Sequence, residues 1–196
     1  MVHEKLSDRD LVEKYLAGDE RSMEVLISRH KSKVYTYILL TVRNPVLAED
    51  LFQDTFIKVI HSLKRGKYVE NGRFLSWVIR IAHNLAIDYF RKENQLSTLS
   101  NDDYETDLFN QSRFSDKTVE ENLVEQQILH EVRHLIDYLP PEQKEVVMLR
   151  HYGGLSFKEI AEQTQVSINT ALGRMRYALI NMRKMIKEKN LNLTVQ

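Results

Sequence analysis

Two histidines four residues apart, with a glutamate after the first, make His130-Glu131-Val132-Arg133-His134 the most overt chemical pattern in the chain. On a helix this spacing sets both imidazoles on one face. There they could ligate zinc while the glutamate served as the base of a peptide hydrolysis. No motif marks a third ligand, and no glycine-bearing extension follows His134, so a zinc peptidase is the remotest reading. Asp50 and Asp54 form a second pattern, one turn apart with Glu49 and Gln53 beside them. A carboxylate pair can hold a cation or move a proton, but no companion histidine or second carboxylate motif supports that use here.

Two further constellations point to nucleic acid. Between Lys64 and Lys92 the cations Lys64, Arg65, Lys67, Arg73, Arg80, Arg91 and Lys92 interleave with Tyr68, Phe74, Trp77, Tyr89 and Phe90. Single-stranded nucleic acid is held by stacking on aromatic faces in a positive groove. Phe74, Trp77, Ile81 and Leu85 fall on one helical stripe and are expected in the core. Tyr68, Phe90 and Asn84 are expected at the surface, and the Asn84 amide could read a base edge. Farther on, Ser167, Asn169 and Thr170 open a helix that then carries Arg174, Arg176, Arg183 and Lys184. Short polar side chains beside free backbone N–H groups at a positive helix end suit a DNA phosphate.

The elements that must position these residues are helices. Ser156 with Glu159 reads as a capping box, so a helix starts there. Gln165-Val166-Ser167 breaks it, and Ala161 is small enough to let a second helix approach Ile160. Helix, turn and basic helix over Leu155 to Lys184 make a helix-turn-helix of the kind that reads duplex DNA. The alternative is a helical hairpin with a solvated basic face. Upstream, Ser7 caps a first helix ended by Gly18-Asp19, and apolar spacing predicts a second over about Glu20 to Val42. Asn44-Pro45 starts a third, to about Leu63. Its apolar residues Leu47, Leu51, Phe52, Phe56, Ile57 and Ile60 spread over more than one side, which asks for two partners: its own domain and another protein. A fourth spans about Arg73 to Lys92. Residues 94–118 are polar and aperiodic, too long for a loop inside a compact domain, and read as a linker. Helical pattern resumes near Val119, breaks at Leu139-Pro140-Pro141, and resumes again up to Gly153-Gly154.

The chain of 196 residues has no cysteine, which removes disulfides and thiolate metal sites and fits a reducing compartment. The charged start MVHEKLSDRD is unlike a secretory signal peptide, and no apolar run is long enough to span a bilayer. The net charge is zero, but it is segregated. Residues 1–63 carry −1, 64–92 carry +5, 93–149 carry −9 and 150–189 carry +5. Two basic blocks flank an acidic one, and each coincides with a candidate nucleic-acid face.

This layout resembles the extracytoplasmic function (ECF) group of bacterial sigma factors, in the sigma-70 family. The resemblance covers about Leu11 to Lys92 and Val119 to Lys187. AEDLFQDTFIKVI (Ala48–Ile60) is similar to the segment that docks on the coiled coil of the RNA polymerase β′ subunit. FLSWVIRIAHNLAIDYFRK (Phe74–Lys92) is similar to the segment that opens and reads the promoter −10 element. LPPEQKEVVMLRHYGGLSFKEIAEQ and SINTALGRMRYA are similar to the domain that reads the −35 element. The resemblance implies polymerase contacts by Asp50, Gln53, Asp54 and Phe56. It implies −10 contacts by Arg80, Asn84, Arg91 and Lys92, and −35 contacts by Ser167, Asn169, Thr170, Arg174 and Arg176. The chain departs from the family pattern at Gln165, where glycine is common, at Ala171, where a β-branched residue is common, and at Leu172, Gly173 and Tyr177, where lysine or arginine, serine and arginine are often found.

The expected protein is therefore all-α: a domain over 7–93, a flexible acidic linker over 94–118 and a helix-turn-helix domain over 119–189. It is expected to be a cytoplasmic, non-catalytic initiation factor without cofactor or metal and without membrane insertion. Its expected partners are core RNA polymerase, promoter DNA (duplex at −35, single-stranded at −10) and an anti-sigma factor. The alternative is a helix-turn-helix regulator that binds DNA without polymerase.

Overall fold

The computed structural model describes residues 5–69, 72–97 and 135–188. Its regular elements are helices: α1 (Asp8–Leu16), α2 (Glu20–Val42), α3 (Pro45–Lys64), α4 (Phe74–Ser97), α5 (Pro141–His151), α6 (Phe157–Gln163) and α7 (Ile168–Glu188). Several of these starts are chemically marked. Ser7 Oγ accepts from the Asp10 N–H while the Asp10 carboxylate accepts from the Ser7 N–H, closing a capping box on α1. Asp19 caps α2 by accepting from the Arg21 N–H. Asn44 Oδ1 accepts from the N–H groups of Val46 and Leu47, with Pro45 in the first turn of α3. Helix α4 runs to Ser97, beyond the end expected near Lys92 and into the segment read as linker. The rest of that segment, and the His130-Glu131-His134 pattern, lie outside the described residues.

The chain divides into two compact units, Met1–Asp103 with His151–Leu155, and Tyr104–Arg150 with Ser156–Gln196. In the first, α2 packs against α1, α3 and α4, and α3 packs against α4. Leu11, Leu26, Val34, Tyr37, Ile38, Ala48, Val59 and Leu63 are fully or almost fully buried there. The inner face of α4 is Phe74, Val78, Ile79, Ala82, His83 and Ala86. This corrects the expected stripe: Phe74 is in the core, but Trp77, Ile81 and Leu85 stand half-buried on its shoulder. Alanines at 82 and 86 have too little surface to stand out in an apolar pattern, yet their size admits the neighbouring helices.

Two sets of buried or half-buried polar groups in this unit are paired between helices, as burial favours. Tyr37 Oη and His83 Nδ1 share a hydrogen bond of 2.9 Å between α2 and α4. Asp8 at the start of α1 meets Arg29 Nη1 at 2.6 Å and His30 Nε2 at 2.7 Å on α2. Burial pushes the Asp8 carboxyl up, but the hydrogen bonds from His30 and Arg29, with their charges, outweigh it and hold it below the ordinary aspartate value.

In the second unit, residues 135–137 are helical and precede α5. Leu135, Ile136, Leu139, Val146, Met148, Leu149, Ile160, Ala161, Ala171 and Ala178 are buried. Ser156 and Glu159 form the expected capping box on α6. Ile160 and Ala161 meet α7 as the pattern required. Asn181 Nδ2 donates to Gln143 Oε1 at 2.8 Å, tying α7 to α5.

Candidate functional site

Helix α3 has two working sides. Ala48, Leu51, Thr55, Phe56, Val59 and Leu63 face the core. Asp50, Gln53 and Asp54 are exposed on the other side. Phe56, expected with them on a docking face, is only 5 % exposed and sits edge-on to Phe52 with ring centroids 5.0 Å apart. Its ring belongs to the core because residue 56 lies one turn from Val59 and Phe52 on the inner arc. Two apolar residues take the outer place instead: Val46 is 74 % and Ile57 52 % exposed. At about 100° per residue, positions 46, 50, 53, 57 and 61 fall on one face. Ile57 was within reach of the sequence, because it falls off the arc of Ala48, Leu51, Thr55 and Val59. Among the described residues no group of three or more His, Asp or Glu is placed to hold a metal ion. Asp50, Gln53 and Asp54 are exposed between Val46 and Ile57, which stand about 16 Å apart along the helix axis.

Helix α4 presents Arg80, Asn84 and Arg91 within one arc of about 40°, with Lys92 displaced from it. Asn84, Arg91 and Lys92 are exposed and Arg80 is half-buried. Beside this arc the loop before α4 folds an aromatic cluster. The Tyr68 ring lies 4.4 Å from that of Trp77 and 6.0 Å from that of Phe74. Tyr68 is thus half-buried against α4, not freely exposed as expected, and Phe90 is half-buried beside Tyr89. Arg65, Lys67 and Arg73, near the cluster in sequence, are exposed. His83, next to Asn84 but turned inward, is held neutral: burial pushes its imidazole down from 6.5 to about 4.

The third face is α7. Ser167 Oγ accepts from the Thr170 N–H at 3.0 Å and meets Thr170 Oγ1 at 2.9 Å. Both hydroxyls thus serve the cap while remaining exposed, with Asn169 exposed next to them. Arg176 points outward. Arg174 does not. It is half-buried on the side of Ala171 and Ala178, where its charge acts on Glu145 of α5. Burial lifts the Glu145 carboxyl above the ordinary glutamate value; Arg174 opposes that shift and Glu142 adds to it. The reason is periodicity: residue 174 follows Ala171 by three and precedes Ala178 by four, which keeps it on the inner arc. The outward arc is instead Asn169, Leu172, Arg176 and Arg183, with Tyr177 at its edge, 61 % exposed. A Cβ added at Gly173 would meet nothing within 4 Å, so no neighbouring helix requires that glycine.

The chain matches two family models, "Sigma-70 region 2" over residues 26–95 and "Sigma-70, region 4" over residues 129–176. It is 31 % identical to the RNA polymerase sigma factor CarQ of Myxococcus xanthus, over 93 % of this chain and 99 % of that one. It is 31 % identical to the ECF RNA polymerase sigma-E factor of Haemophilus influenzae, over 95 % of this chain and 96 % of the relative. Its fold is similar to that of the sigma factor RpoE of Bartonella quintana, solved with the anti-sigma factor NepR. The TM-score is 0.62 at 17 % identity, covering 85 % of this chain and 98 % of that one. CnrH, solved with the cytosolic domain of CnrY, gives 0.59 at 20 % identity, covering 92 % and 97 %.

Proposed function

The chain belongs to the sigma-70 family of RNA polymerase sigma factors, in the ECF group, and on that premise we propose how its faces divide the work of initiation. As a sigma factor it binds core RNA polymerase and directs transcription initiation. The exposed side of α3, with Asp50, Gln53 and Asp54 between Val46 and Ile57, docks on the polymerase, with the β′ coiled coil as its seat. Phe56 supports that face from beneath. Asn84, Arg91, Lys92 and the outer edge of Arg80 hold the −10 element, where opened bases need stacking surface and positive charge. The exposed cations Arg65, Lys67 and Arg73 add positive charge to the same block. Ser167, Asn169, Thr170 and Arg176 meet duplex DNA at the −35 element, and Arg174 positions α7 through Glu145. The domains run 7–93 and 119–189, with 94–118 between them.

The observation that carries this reading is the double-sided α3. A helix that completes its own core and still exposes Val46 and Ile57, with acidic residues between them, is built for a second protein. A helix-turn-helix regulator without polymerase would use that surface for an effector or a second copy of itself, which the test below separates. The protein performs no chemistry of its own in this scheme, works in the cytoplasm and is held in check by an anti-sigma factor. Among the described residues no helix is long and apolar enough to cross a membrane. The decisive experiment mixes the full chain with core polymerase and a genomic promoter library and maps run-off transcripts. Stable association and initiation at a defined promoter set support the reading. Failure to bind core polymerase removes it and leaves the DNA-only regulator.

A further inference from the structure

We propose that Leu172 is a specificity-determining residue that reads the 5-methyl group of a thymine in the −35 element; this rests on the reading of α7 as the −35 helix. Leu172 is 43 % exposed on the outward arc of α7. It stands one turn after Asn169 and one turn before Arg176, both exposed. Residues in the first turns of a recognition helix are those that reach base edges in the major groove. Leu179 and Ile180 are also exposed, but they lie about 10 Å farther along the axis at 1.5 Å per residue.

The ridge Asn169, Leu172, Arg176 therefore carries three different chemistries side by side. An asparagine amide matches the paired donor and acceptor of adenine, and an arginine fork matches the two acceptors of guanine. A leucine has no hydrogen bond to give. The one apolar group that the major groove displays is the thymine methyl. Placed between two polar readers, Leu172 would leave any other base edge facing hydrocarbon, with its donors and acceptors stripped of water and unpaired. A thymine supplies what it can contact, and the burial of one methyl is worth about a fourfold change in affinity.

The test uses the full chain in complex with core polymerase. Synthetic promoter duplexes randomised across the −35 region are selected by binding. Each enriched thymine is then replaced by deoxyuridine, which lacks only the methyl. At one position the replacement is expected to weaken binding about threefold to fivefold. In Leu172→Ala the same replacement has no effect, and the preference for thymine there is lost. At that position 5-methylcytosine is expected to bind better than cytosine with the parent chain and equally with Leu172→Ala. Ile180→Ala, farther along the same helix, keeps the full methyl effect. Enrichment of a −35 sequence with no methyl-dependent position, or a methyl effect that survives Leu172→Ala, overturns the role of Leu172. Absence of any sequence enrichment overturns instead the underlying reading of α7 as the −35 helix.

Discussion

Gln165 sits in the turn between α6 and α7 with φ at 54°, in the left-handed region. That conformation costs an L-residue about 1–2 kcal/mol, because Cβ crowds the following carbonyl oxygen. Glycine escapes the clash but gives up about 0.5–1 kcal/mol more chain entropy on folding. The balance favours glycine. Gln165→Gly is expected to raise stability by about 0.5–1 kcal/mol, read as a higher urea midpoint; an unchanged or lower midpoint would show the turn to be unstrained. His83 makes a second prediction at this scale. Its folded pKa is about 4 against 6.5 unfolded. Between those values the unfolded chain binds a proton that the folded chain refuses, so stability falls as pH drops through that window. The loss is up to about 3 kcal/mol. Urea midpoints taken across the window should fall more steeply in the parent chain than in His83→Gln. Parallel curves would place the burden on other groups.

At the scale of the element, α3 separates packing from docking along a single helix. Phe56→Ala should cost about 3–5 kcal/mol of stability, since it empties a core position. Asp50→Ala, Asp54→Ala and Ile57→Ala touch exposed side chains, and each should stay within about 0.5 kcal/mol of the parent. The same three exposed variants should weaken association with core polymerase, measured by competition against the unmodified chain. If they bind as well as the parent, α3 is not the docking element. The contrast also fixes the meaning of a Phe56 variant: any polymerase defect it shows arrives through loss of fold. Asn44 and Pro45 set where this helix starts; packing against α2 and α4 sets which of its residues face inward.

At the scale of the whole molecule, zero net charge hides two basic blocks of +5 each around an acidic stretch of −9. On the proposed reading both basic blocks meet phosphates, and affinity for DNA is expected to fall with salt. Not every cation in a block contributes. Arg176 faces out, and Arg176→Ala should lower the slope of log affinity against log salt by about 1 if it meets a phosphate. If it meets a base, selectivity at one position should relax by about 1–3 kcal/mol instead. The charge of Arg174 acts on Glu145, and Arg174→Ala removes a counter-charge from that half-buried carboxyl. Its loss should appear as lower stability, larger at high pH than in acid, because Arg174 stabilises only the ionised carboxylate. A salt-slope change without a stability change would return Arg174 to the DNA face.

The local chemistry of the chain already determined much of this. Ser7, Asn44-Pro45 and Ser156 with Glu159 place helix starts by hydrogen bonds that span three residues, so no tertiary information is needed to find them. The order of the segments that match sigma-70 region 2 and region 4 was likewise carried by local motifs. Which side of each helix faces in was decided by packing. Phe56 lies in the core, and Arg174 and Trp77, read from the sequence as a DNA contact and a core residue, are half-buried; the buried alanines at 82, 86, 171 and 178 carry little signal of their own in an apolar pattern. Residue type and spacing name a helix and its chemistry; only the partners that fill its inner arc decide which residues are left to meet polymerase and DNA.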